Sequence, residues 1–298
     1  MIFGAIDLGT QTFRLGVAEV SEGLVSAKSS RLFNVRLGKV IEERKLNQKI
    51  QTALMDIKEN VKHFGIQRLR VCGTEAIRAL AQKAPNILEE IKEILSHPLE
   101  ILSPQEEGRL TALGASTALG GTVAPQPICI IDVGGGSTET IYYSSQEILI
   151  KSIKIGAVKF TEESFKEFSF LSSHPFSQVK KATATGGTAT TLGAMLLQLS
   201  QYEPQKIRGL FVNRETISSL IKKLSVLNLD ERKKIIGLEP ERADIIIPGL
   251  RILLHVVKNL DVPGVTISDG GLLMGILIDL IKKEYDDHAK LDWRRLYL

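Results

Sequence analysis

The sequence predicts an α/β protein of two related domains, and three observations carry that reading. The first is an internal repeat. Ile6-Asp7-Leu8-Gly9-Thr10-Gln11-Thr12-Phe13-Arg14 repeats the Asp-x-Gly-x-x-hydroxyl pattern of Ile131-Asp132-Val133-Gly134-Gly135-Gly136-Ser137-Thr138-Glu139, with Asp7 and Asp132 lying 125 positions apart. A repeat that long points to duplicated domains, since the units of a solenoid are far shorter. The second is that β-branched runs bounded by turn residues alternate with segments of helical periodicity. The third is length, because 298 residues suffice for two hydrophobic cores.

The elements follow in order. Ile2 to Ile6 and Leu15 to Val20 flank the first glycine turn as a hairpin, Gly23 marks a turn, and Ser26 to Leu37 reads as further strand ending in Arg36-Leu37-Gly38. Asn47 to Phe64 carries Ile50, Leu54, Ile57 and Val61 at helical spacing and closes on Gly65, a C-cap residue. Leu69 to Cys72 is a short strand that Gly73-Thr74-Glu75-Ala76-Ile77-Arg78 turns into a helix, an arrangement that belongs at a cleft in an open sheet. Asn86 to Leu95 reads as helix and Leu99 to Leu102 as strand.

The next helix start is a capping box, with Ser103 at the N-cap, Pro104 at the first helical position and Glu106 three residues after the serine. Glu107, one step round, has no capping duty; spacing leaves open whether it faces a cleft or serves the helix dipole. That helix runs to Gly120-Gly121, and the diglycine with Pro125 and Pro127 sets the expected boundary between a domain of residues 1–120 and one of 121–282.

In the second half, Ile128 to Ile131 and Thr140 to Tyr143 form the hairpin around Asp132, and Glu147 to Ile155 continues as strand. Three successive glycines let the backbone take positive φ and approach a ligand closely, leaving N–H groups free to converge on an anion, with Asp132 beside them for phosphate and a divalent cation; the same stretch also reads as a flexible turn capped by Asp132. In the register of the repeat, Arg14 falls opposite Glu139, so one loop supplies a cation for phosphate oxygens and the other a second carboxylate. Two such hairpins facing each other would make a cleft. Lys180 to Thr185 is a strand, and Gly186-Gly187-Thr188 opens a helix whose N-terminus suits either an anion or close helix-sheet packing. Arg214 to Leu224, Asp230 to Ile236 and Pro240 to Val257 read as helices, the last broken or kinked at Pro248. Val265 to Ile267 is a last strand, Leu272 to Ile281 an apolar helix, and Lys282 to Arg295 an amphipathic helix expected to pack back on the first domain.

Composition excludes several function classes. Apolar residues make up 43%, the net charge is +4 and the pI about 8.9, a mild basic balance that suits an anionic ligand. With no basic, aromatic-interleaved patch, nucleic acid is not an expected partner. The five histidines have no metal-ligand spacing, and Cys72 and Cys129 sit in apolar runs as reduced buried thiols. No apolar run reaches the ~18 residues of a membrane span, and Asp7 and Arg14 interrupt any signal-like core. A cytoplasmic protein without a membrane partner is expected.

Together these residues resemble the exopolyphosphatase/guanosine pentaphosphate phosphatase (Ppx/GppA) family of the sugar kinase, heat-shock 70 and actin superfold. The likeness runs through the Asp7 to Arg14 loop, Thr74 to Arg78, Glu106-Glu107-Gly108-Arg109, the Asp132 to Glu139 loop, Gly156 to Thr161, Gly186 to Leu192, Arg242-Ala243-Asp244 and Ser268 to Gly275. It implies two actin-like (ribonuclease H-like) domains with a central cleft. It implies Glu107 as general base on the attacking water, with Asp132 and Glu139 as metal and water-orienting carboxylates and Asp7 across the cleft. Gly9, Thr10, Arg14, Gly134, Gly135, Gly136 and Ser137 are implied as phosphate contacts, and the helix start at Gly187 and Thr188, read from its own residues, is a third anion-friendly candidate. The implied cofactor is Mg2+ or Mn2+, the implied substrate polyphosphate or guanosine pentaphosphate, and a homodimer is expected. Where the family commonly has Gly-Leu-Arg-Glu-Gly, this chain has Gly271-Leu272-Leu273-Met274-Gly275, losing both charged residues. Two rival readings are a non-catalytic polyphosphate or alarmone sensor and an ATP-dependent kinase of the same superfold.

Overall fold

The structure is a computed structural model that describes residues 1–37, 40, 45–120, 127–144, 147–285 and 291–296. Gly38, Gly121 and Pro125, and residues 286–290 of the expected tail helix, lie outside the described residues. The chain divides into two compact units, Met1–Gly114 with Leu272–Leu298, and Ala115–Gly271.

The first unit opens with β1 (Ile2–Leu8), β2 (Thr12–Ser21) and β3 (Leu24–Asn34). Glu22 and Gly23 both take positive φ between β2 and β3, as a tight two-residue hairpin connection requires. Then come α1 (Gln48–His63), β4 (Arg68–Gly73), α2 (Glu75–Lys83), α3 (Pro85–Leu95), β5 (Leu99–Ile101) and α4 (Pro104–Ala118). Asn47 caps α1 by accepting from Ile50 N, and Gly65 sits just past its end at φ 59, the left-handed conformation that a helix stop of this kind uses.

The second unit holds β6 (Ile128–Val133), β7 (Thr138–Tyr143) and β8 (Ile148–Ile153). After two short 3-10 helices, Glu162–Ser172 and Phe176–Gln178, it continues with β9 (Lys181–Thr185), α5 (Gly186–Leu196), α6 (Pro204–Ile207), β10 (Phe211–Asn213), α7 (Arg214–Ser225) and α8 (Leu229–Arg232). Next are α9 (Ile246–Asn259) and β11 (Gly264–Ile267). Pro248 does not kink a long helix. Residues Pro240–Arg242 form a separate 3-10 turn, and α9 starts only two residues before the proline, in the first turn, where no i−4 carbonyl awaits a donor. The chain ends with α10 (Leu272–Tyr285) and β12 (Asp292–Arg295), both in the first unit.

Each unit carries one six-stranded sheet, in the order β12-β3-β2-β1-β4-β5 and β10-β11-β9-β6-β7-β8. Strip the edge strands β12 and β10 and the two orders superpose: an antiparallel meander of three strands, then two strands added parallel to its first. The sequence repeat is therefore a repeat of topology. Each sheet builds its own core, with Ile6, Leu8, Phe13, Leu15 and Val71 under α1 to α3 in the first unit, and Cys129, Ile131, Val133, Ala182 and Val265 against α5 and α9 in the second.

The C-terminal segment departs from expectation in two ways. Helix α10 groups with the first unit, packing on β1, β2 and β4, because Leu273 lies against the bare backbone of Gly16 on β2. Beyond it, the described tail residues are strand instead of amphipathic helix: β12 runs parallel to β3 and extends that sheet by an edge. No helix among the described residues is long and apolar enough to cross a membrane.

Candidate active site

The first unit sets its groups on the turn between β1 and β2. Asp7 ends β1 directly across from Arg14 on β2, and Gly9 N donates to Thr12 O at 3.0 Å to close the turn. Asp7 and Thr10 are nearly buried. Arg14 Nε is buried and has no hydrogen-bond partner among the described residues. Such an orphan donor costs about 1–3 kcal/mol unless an acceptor arrives, and a guanidinium beside a glycine turn has the chemistry to receive an anionic oxygen.

Helix α2 links this turn to Glu107. Thr10 Oγ1 donates to Glu75 Oε2 at 3.3 Å, and one turn along the same helix Arg78 Nη1 donates to Glu107 Oε2 at 2.8 Å and to Leu102 O at 2.7 Å. Glu107 itself is 7% exposed. Glu75 and Arg78 lie in the stretch that the sequence places at a cleft but are not among the expected site residues; their i, i+3 spacing at the start of a helix that follows a strand is the signal for them.

The capping box at the start of α4 is half formed. Ser103 Oγ accepts from Glu106 N at 3.1 Å, as expected, but the Glu106 carboxylate turns away to take both Nε and Nη2 of Arg109 at 2.8 Å. A bidentate charge-assisted pair outcompetes a single bond to an amide. That pairing with Arg109 holds the Glu106 carboxyl below the usual carboxylate range.

The second unit repeats the turn. Asp132 ends β6 opposite Glu139 on β7, and Gly134 N donates to Ser137 O at 3.0 Å, the counterpart of the Gly9 to Thr12 bond. The three glycines do not use the positive φ open to them. What they allow is close approach: Ala157 N and Val158 N donate to Gly134 O and Gly135 O at 2.9 Å, and a Cβ on Gly156 would lie 2.5 Å from Gly135 C. The carbonyls are thus tied back, while the amides of Gly135 and Gly136 make no backbone hydrogen bond among the described residues. Glu139 is buried and accepts from Ser152 Oγ at 2.7 Å, and Ser137 is buried.

The Gly186-Gly187-Thr188 turn belongs to this same cluster. A Cβ on Gly186 would overlap Asp132 Oδ1, and one on Gly187 would overlap the Arg242 guanidinium, with Cζ 2.6 Å away. One glycine pair therefore makes room for a carboxylate and a guanidinium side by side. Thr188 Oγ1 donates to Val133 O at 3.0 Å, so its proton ties α5 to the end of β6. Arg242, whose Nε donates to Glu239 Oε2 at 2.6 Å, was not picked out as a site residue; only a tertiary contact brings it to Gly187.

The carboxylates here are hard oxygen donors, and no group of three or more His, Cys, Asp or Glu side chains that could hold a metal gathers among the described residues. Space for Asp132 is made by a glycine at which no side chain would fit. That chemistry fits a magnesium-like ion, which takes one or two carboxylates and completes its shell with water and phosphate.

The duplicated sheets, each with an Asp-ended hairpin closed by the same amide-to-carbonyl bond, define an actin-like protein. The chain belongs to the Ppx/GppA phosphatase family, whose model matches residues 17–284. It is similar to guanosine-5′-triphosphate,3′-diphosphate pyrophosphatases of Vibrio vulnificus (24% identical over 97% of this chain and 61% of the relative) and of Vibrio cholerae (23%, over 94% and 59%). The chain thus spans about three fifths of the length of these curated relatives. Among solved structures it resembles the Aquifex aeolicus Ppx/GppA family member, with a TM-score of 0.76, 28% identity and coverage of 95% of this chain and 98% of that one. The fold is shared with an exopolyphosphatase from Cytophaga hutchinsonii, at a TM-score of 0.81, 21% identity and coverage of 95% and 98%.

Proposed function

We propose that this protein is a phosphohydrolase that releases terminal phosphate from inorganic polyphosphate, the 5′ γ-phosphate of guanosine pentaphosphate, or both. The observation that carries the proposal is the buried Arg14 Nε, which has no acceptor among the described residues, beside an Asp-ended glycine turn that occurs twice. Family membership supports the reaction class, and the names of the Vibrio and Cytophaga proteins supply the two substrate candidates.

In this reading Arg14, Gly9 and Thr10 in the first unit, and Gly134, Gly135, Gly136 and Ser137 in the second, hold phosphate oxygens through N–H and guanidinium donors. Gly187 and Thr188 line the neighbouring turn. Glu107 takes the proton of the attacking water as its oxygen bonds to the terminal phosphorus, and the phosphoanhydride bond breaks to leave the shortened chain. Arg78 holds Oε2 of that carboxylate in place at 2.8 Å. Asp132 and Glu139 would hold Mg2+ or Mn2+, which when bound supplies charge neutralisation at the phosphates, and Asp7 is assigned the equivalent carboxylate role on the first turn. Phosphoryl transfer to water needs positioning and electrostatics more than covalent help, so this inventory suffices. We place the activity in the cytoplasm and in a homodimer.

The test is phosphate release by the purified chain with magnesium, comparing long-chain polyphosphate, short-chain polyphosphate, guanosine pentaphosphate and ATP. Release from one of the first three, lost in Glu107→Gln with ligand binding retained, is the expected result. Near-normal turnover by Glu107→Gln would remove it as the base. Binding without release by the wild type would make the protein a sensor, and ATP consumption that depends on an added acceptor would make it a kinase.

A further inference from the structure

We infer that Asp279 is a positioning residue for Glu107, acting through an ion network that sets the first turn of α4 against α10. The inference rests on the reading of Glu107 as the base.

The two helices meet without side chains between them. A Cβ on Gly275 of α10 would lie 2.5 Å from the backbone carbon of Leu110 on α4, so at this point the helices touch backbone to residue. One turn further along α10, on the same face, stands Asp279. Its Oδ1 accepts from Arg109 Nη2 at 2.7 Å, and its Oδ2 from Arg70 Nη1 at 2.7 Å and Lys283 Nζ at 2.9 Å. Both arginines are engaged a second time. Arg109 holds Glu106 through two bonds, and Arg70 holds Glu100 through two more, at 2.8 and 3.0 Å, while also lying 3.6 Å from Glu106. Asp279 is thus the only described residue of α10 that reaches both arginines, and it does so with a side chain 9% exposed.

The consequence concerns Glu107. Glu106 and Glu107 are consecutive in the first turn of α4, and the two carboxylates are held from different directions, Glu106 by Arg109 and Arg70, Glu107 by Arg78. A tilt or rotation of that turn that shifts Glu107 has to break the Glu106–Arg109–Asp279 chain as well. Burial favours the neutral form of Asp279, yet the bonds from Lys283 and Arg109 bring its carboxyl below the ordinary value, so the network is built for the charged form. A residue that merely stabilised the fold could have been apolar here, since replacing buried ion networks by packed hydrophobes is often neutral or stabilising.

The experiment uses the full chain, with whichever of long-chain polyphosphate or guanosine pentaphosphate the wild type hydrolyses, and wild type and Glu107→Gln as reference. Asp279→Asn keeps the shape and removes the charge; Arg109→Lys keeps the charge and removes the fork that joins Glu106 to Asp279. Ile278→Val, a buried neighbour outside the network, controls for loss of packing in α10. Misplacing a catalytic group by about 1 Å costs on the order of 100-fold. The expected result is a fall in kcat of about 10- to 100-fold in Asp279→Asn and in Arg109→Lys, with KM within about 3-fold and Ile278→Val unaffected, because a group used only in the transition state shows in kcat alone. Near-normal kcat in either folded variant, a loss carried by KM, or an equal loss in Ile278→Val would overturn the inference. Should Asp279→Asn fail to fold, Arg109→Lys decides by the same criterion; failure of both to fold makes the network a stability element and overturns the positioning role. A wild type without turnover sinks the hydrolase reading itself, whereas an active wild type with a normal Asp279→Asn sinks only this inference.

Discussion

Replacing Gly186 with alanine should separate activity from stability. Two costs can be read from the structure. Gly186 sits at φ 76, where an L side chain costs roughly 1–2 kcal/mol. In addition, the new Cβ would overlap Asp132 Oδ1 and lie 3.0 Å from its Cγ. The backbone of α5 is anchored by Thr188 Oγ1 on Val133 O, so the carboxylate is the part that gives way, by on the order of 1 Å. A catalytic or metal-holding group displaced that far loses about 100-fold in rate, equivalent to about 2.7 kcal/mol of transition-state stabilisation. Steady-state phosphate release gives kcat, and urea unfolding followed by circular dichroism gives stability. The expected outcome is a kcat loss near two orders of magnitude alongside a stability loss of only about 1–2 kcal/mol. Wild-type kcat in a folded Gly186→Ala protein would show that the Asp132 position does not matter to turnover, and would refute its assignment.

Three further outcomes are expected. Gly275→Ala places a methyl group against the backbone of Leu110, which cannot swing aside, so it should destabilise by about 1–3 kcal/mol and lower the melting temperature by about 2–4 °C per kcal/mol; an unchanged melting curve would contradict the close crossing of α10 and α4. Asp279 and Glu106 both have carboxyls lowered in the folded state, so the stability they contribute is fully present above the unfolded carboxylate value of about 4 and drains away as pH falls through it toward the lower folded value. Fluorescence of Trp293, the only tryptophan, should report that acid loss, and Asp279→Asn should flatten it. Burial pushes the Cys72 and Cys129 thiols up to about 12, so a thiol reagent at pH 8 should label neither in the folded protein and both in urea; rapid native labelling would show that one of these strands opens.

What the sequence determined by itself is local. Turn chemistry between two apolar runs makes each hairpin, so the two loops and the duplicated fold were legible from short stretches, and the hairpin register then sets Asp7 opposite Arg14 and Asp132 opposite Glu139. Asn47 and Gly65 bounded α1 for the same reason, since a cap is a contact between near neighbours. The tertiary structure decided whatever depends on partners far apart in the chain. Spacing gave Glu106 to Ser103, but Asp279, 173 positions further on, helps make Arg109 and Arg70 the stronger partners. Three glycines allowed positive φ or close approach to a ligand, and the partner that approaches Gly134 and Gly135 is the backbone of Ala157 and Val158. Leu273 and Met274 read as a loss of charge at a helix start, whereas Leu273 proves to be the side chain that seats α10 on Gly16 of β2. In each case a local rule names what a residue can bond, and the free energy of burying long-range partners selects which bond it makes.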